Sequence, residues 1–112
     1  MLIFIISIFI LVALGGIYLI SFILRNKNTP KGIAIIHGCG AILGAVLLII
    51  YCIFYKNAPI LSLIIFIIAA CAGIILLHKD LSNTISPKKL AIFHGVIAIL
   101  ALTSLIIFAY SS

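Results

Sequence analysis

The chain has 112 residues, 67% of them hydrophobic and 7% charged, with a formal net charge of +6. A soluble domain carries about 25% charged residues, so there is too little polar side chain here to cover a water-facing surface. The basic excess follows from membrane topology, as set out below, and gives no ground for a nucleic-acid partner.

The first apolar block, residues 1–24, is long enough to cross a hydrocarbon core of about 30 Å, which takes roughly 20 helical residues. It lacks a positive n-region, exceeds the length of a signal-peptide core and is followed by no A-x-A-like cleavage site, so it reads as a retained helix. Arg25, Lys27 and Lys31 fill the connection that follows. The second helix is predicted over 30–55, with Thr29 as N-cap and Pro30 at the first helical position, where a missing N–H costs nothing. Lys56 closes this block. The third helix is expected over 58–78, followed by a connection holding Lys79, Asp80, Lys88 and Lys89; the fourth, over 87–110, starts from Ser86-Pro87. Helices are the natural spanning form, since backbone groups in lipid must be paired internally.

Six basic residues on one side against Lys56 on the other place connections 1–2 and 3–4 in the cytoplasm and both termini outside. The expected localisation is an integral membrane protein of a bacterial inner membrane. Cys39, Cys52 and Cys71 fall inside helices and make no disulfide framework; they read as small apolar packing residues. Tyr18, Tyr51, Tyr55 and Tyr110 read as membrane aromatics, mostly at the interface.

Sliding the chain by 57 residues aligns 14–51 with 71–108 without a gap. PKGIAIIHG at 30–38 meets PKKLAIFHG at 87–95, and Gly16/Gly73, Asn26/Asn83 and Ala41/Ala98 also match. The predicted fold is therefore all-α: a single membrane domain, 1–112, formed by a four-transmembrane-helix bundle of two hairpins, about 1–56 and 57–112. Two helices separate the copies, so the hairpins share one topology and are related by a twofold axis along the membrane normal.

His37 and His94 each lie seven residues past their proline, about 10 Å along the helix. They should sit at one depth and face each other. An ionisable side chain at that depth is a functional-site hypothesis by default. Stripes of small residues share their faces: Ala34, Ala41 and Gly44 beside His37, and Ala91, Ala98 and Ala101 beside His94. Such stripes allow close helix packing, with histidine hydrogen-bonding across the contact, or leave room for something flat. On the second reading His37 and His94 are the metal ligands, holding the iron of a b-type haem between helices 2 and 4. Gly16 and Gly73, near the same depth, would let the porphyrin edge approach the backbone. Arg25, Lys31 and Lys88, with Lys89 and the helix N-termini, are candidates for the propionates, against their plainer role in setting topology. His78 reads as a polar anchor at the end of helix 3, or as a group near a cofactor or quinone.

Asp80 is the only carboxylate and is expected in a loop. No acid pair, Ser/His/Asp set or phosphate-binding glycine loop is present, which argues against hydrolysis and phosphoryl transfer. Two histidines also fall short of a closed zinc site.

With His37 and His94 on helices 2 and 4, each followed by glycine, the chain resembles small four-helix membrane b-type cytochromes. The resemblance covers the four-helix layout and rests on the repeated P-K-x-x-A-I-x-H-G. It implies haem binding and one-electron transfer or redox sensing, with a quinol or a redox protein as partner. Larger relatives of that type hold two haems with four histidines; this chain has histidines for one. The alternatives are a non-catalytic membrane subunit or assembly factor whose histidines pack, and a haem or metal carrier. A homodimer through the remaining glycine faces is a further candidate.

Overall fold

The computed structural model describes residues 1–82, 84 and 86–111. It consists of four helices: α1 (Leu2–Leu24), α2 (Lys31–Phe54), α3 (Ile60–Leu81) and α4 (Lys88–Ser111). All four are long and apolar enough to cross a membrane. The bundle measures 44 × 19 × 19 Å, and its outer faces carry large apolar side chains such as Ile3, Leu11, Ile36 and Ile53. In water these would be a liability; in lipid they are the solvated surface. The chain is thus a four-helix integral membrane bundle.

Helices pack only with their neighbours around the ring, α1 with α2 and α4, and α3 with α2 and α4. The diagonals α1–α3 and α2–α4 meet only through side chains on the bundle axis, and these come in pairs 57 residues apart. Phe9 and Phe66 stack with ring centroids 4.0 Å apart. Leu48 and Leu105 are fully buried, as are Ile5 and its counterpart Ser62. The duplication read from the sequence is therefore a duplication of packing. Buried bulk is uneven along the axis: Ile5, Ile6, Phe9, Leu48, Phe66 and Leu105 form one cluster in the half away from the basic connections. In the basic half the buried apolar residues are Ala34, Ala72 and Ala91, with Leu19 the one large side chain among them.

The helix ends sharpen three expectations. First, α1 ends in a Schellman motif: Lys27 N–H donates to Phe22 O and Asn26 N–H to Ile23 O, with Asn26 at φ 56°. Asparagine tolerates this left-handed position better than other side-chain-bearing residues. The hairpin-2 counterpart, Thr84 N–H to Lys79 O, is present; Asn83, matched to Asn26 in sequence, lies outside the described residues. Second, α2 begins one residue later than expected, with Pro30 as N-cap and no side-chain cap; Thr29 uses its hydroxyl elsewhere. Third, α3 runs to Leu81, so Asp80 is in its last turn and buried rather than in a loop.

Candidate functional site

His37 and His94 meet across the α2–α4 diagonal, ring centroids 6.2 Å apart and planes at 86°. Each ring is held by the other helix of its own hairpin. His37 Nδ1 lies 2.8 Å from Val12 O, and His94 Nδ1 lies 2.7 Å from Ala69 O, again a pair of positions 57 apart.

The glycines explain how an imidazole reaches a carbonyl already used within a helix. A helical side chain covers the turn N-terminal to its own Cα, so residue 16 normally shields Val12 O and residue 73 shields Ala69 O. Both are glycine. A Cβ on Gly16 would stand 2.9 Å from His37 Cε1, and one on Gly73 would stand 2.9 Å from His94 Cε1. Gly16 and Gly73 thus receive the histidine rings of their own hairpins. The signal was in the sequence: each glycine precedes its histidine by the same interval, which places the two at one level of adjacent antiparallel helices.

The tautomer follows. A carbonyl oxygen only accepts, so Nδ1 carries a hydrogen in both rings, and in the neutral imidazole Nε2 then carries the lone pair. Neither Nε2 has a hydrogen-bond partner among the described residues. Two such rings cannot hydrogen-bond to each other, because neither offers a second N–H. This is the state in which histidine ligates metals, with its other N–H donated to a carbonyl that fixes the ring. Metal–imidazole bonds of about 2.0 Å put two rings on opposite sides of one metal roughly 6 Å apart, centroid to centroid, which is the separation of this pair. No group of three or more His, Cys, Asp or Glu occurs among the described residues, so a metal bound here would draw its other ligands from elsewhere, as haem iron does from its porphyrin.

Small residues surround the pair. Ala34, Ala69, Ala72 and Ala91 are each under 7% exposed, and Ala41 and Ala98 are half-buried. Gly44 belongs to the layer above: a Cβ there would stand 2.8 Å from the Phe9 ring. Ala101, its counterpart, is fully buried in the same cluster. On the lipid side, an apolar groove of about 280 Å³ between α1 and α2 reaches His37 past Val12, Gly15, Ile36 and Gly40.

The basic residues divide. Lys31 Nζ lies 2.8 Å from Asp80 Oδ1 in an ion pair, which occupies it. Arg25 donates to Ser21 O and lies over the Phe22 ring. Lys88 and Lys89 are exposed at the start of α4 and have no ion pair among the described residues. His78 is exposed in the last turn of α3, away from the pair. Cys39 and Cys71 face outward, Cys52 is half-buried, and all three are free thiols.

The chain matches no protein-family model, no curated protein and no solved structure. What the fold and site define is a class: an integral membrane four-helix bundle built by duplication around an axial histidine pair.

Proposed function

We propose that this protein binds one haem b between α2 and α4, with His37 and His94 as its two axial ligands, and works in one-electron transfer or redox sensing. The observation that carries the reading is the histidine pair itself: two rings 6.2 Å apart, each held by a backbone carbonyl through Nδ1 and each with an Nε2 that has no hydrogen-bond partner among the described residues. The haem would supply a one-electron couple; the protein's part is to hold both imidazoles in one tautomer at one depth, within a half whose buried apolar side chains are mostly alanine. Lys88, exposed and without an ion pair among the described residues, is the cation left to balance a propionate, since Lys31 is engaged by Asp80 and Arg25 donates to Ser21 O. The excess of Lys and Arg at one end favours a cytoplasmic position for that end, and a quinol or a redox protein is the partner class such a carrier would serve.

A second reading, in which the pair only packs, draws on the edge-to-face angle of the rings, an arrangement aromatic pairs favour at 4.5–7 Å. Absorption spectra separate the two. Protein purified in detergent with haem supplied should show sharp reduced α and β bands after dithionite, and these should vanish in His37→Ala and in His94→Ala. A colourless protein, with both variants folded like the parent, would leave the packing reading in place.

A further inference from the structure

Asp80 is the only acidic residue in the chain, and it is buried. The Thr29 hydroxyl lies 2.7 and 2.6 Å from its two carboxylate oxygens, and Lys31 Nζ donates to Oδ1 at 2.8 Å. Thr29 and Lys31 flank the start of α2, whereas Asp80 ends α3, so the cluster ties the two hairpins together across the α2–α3 seam.

The internal twofold supplies a control for this tie. The positions equivalent to Thr29 and Lys31 are Ser86 and Lys88, at the start of α4; the position equivalent to Asp80 is Ile23, at the end of α1. The α1–α4 seam thus holds a hydroxyl and an ammonium but no carboxylate to join them. Ile23, Thr29, Asp80 and Ser86 all line one small cavity of about 80 Å³ at the basic mouth of the bundle, so the missing carboxylate belongs at a site already formed. At the other end the Phe9–Phe66 stack and Leu48 and Leu105 fill the axis. There α2 and α3 are also joined covalently through residues 55–59, while no connection joins α1 to α4.

We infer that Asp80 is a one-sided latch: it holds α2 to α3 at the basic end and leaves α1 and α4 free to part there. The opening leads to the alanine-lined half of the axis and so to His37 and His94. As an entrance for a planar ligand it rests on the proposed function, but the latch stands on the polar cluster and the twofold alone.

Hydrogen exchange followed by mass spectrometry, on detergent-purified protein with no haem added, tests it. Amides of 20–24 and 91–95 should exchange about tenfold faster, or more, than those of 34–38 and 77–81, the scale expected when charge-assisted hydrogen bonds hold one seam only. Asp80→Asn should speed the second set to the rate of the first. Ile23→Asp should slow the first set by giving Lys88 and Ser86 their carboxylate. If Ile23→Asp does not fold, Lys31→Gln takes its place and should reproduce Asp80→Asn. Equal exchange at the two seams in the parent, or unchanged protection of 34–38 and 77–81 in Asp80→Asn, overturns the latch. A protein that binds no haem yet shows this exchange pattern keeps the latch and loses the haem.

Discussion

Gly16→Ala adds one methyl group at the point where the histidine staple is tightest. Its Cβ would sit 2.9 Å from His37 Cε1, against 3.4–4 Å for ordinary contact, so ring or helix must move by about half an ångström. The ring cannot retreat and keep its bond, because Nδ1 is held 2.8 Å from Val12 O on the same helix as the added methyl. Overpacking of this kind costs about 1–3 kcal/mol, and loss of the hydrogen bond adds about 1 kcal/mol. Thermal unfolding in detergent should therefore show Gly16→Ala destabilised by roughly 2–4 kcal/mol. Gly73→Ala meets His94 at the same 2.9 Å and should cost a similar amount. The same variants should weaken haem binding, since a displaced ring misplaces its Nε2. Unchanged stability in Gly16→Ala, or a large effect in one glycine variant and none in the other, would refute the paired-staple geometry.

Other outcomes follow from the packing. Asn26→Ala puts a less tolerant residue at φ 56° and should destabilise by about 1 kcal/mol, whereas Asn26→Gly should not; chemical unfolding of both variants checks this. A double-mutant cycle on Phe9→Leu and Phe66→Leu should return a coupling of about 0.5–1.5 kcal/mol for the stacked pair, and zero coupling would deny the contact. Ser62 donates to Ser104 at 2.9 Å across α3 and α4. Ser62→Ala should cost about 0.6 kcal/mol, the usual worth of such bonds between membrane helices; a cost of several kcal/mol in the same unfolding assay would mean that the bond does more than join two helices.

The spans were legible because four apolar blocks have few other folds open to them in lipid. The twofold was legible because proline, histidine, glycine and asparagine matches are informative where isoleucine matches are not. His37 and His94 could be placed at one depth from the helix rise alone. Less accessible were contacts that depend on the neighbouring helix. Thr29 reads locally as an N-cap, yet its hydroxyl is claimed by Asp80, 51 residues away. Asp80 reads as a loop residue because His78, Lys79 and Asp80 form a polar run; its partners Thr29 and Lys31, which make a buried helical position tolerable, lie on another helix. The glycines read as close-approach positions, but nothing local marks them as the residues that uncover Val12 O and Ala69 O.

Haem titration is the decisive measurement, because the twofold makes the histidine site single. Absorbance changes on adding haem to the detergent-purified protein should saturate at one equivalent per chain. The double variant His37→Ala/His94→Ala, shown to be folded, should give no saturable change. Saturation at two equivalents, or binding retained in the folded double variant, would contradict a site formed by this one pair of histidines.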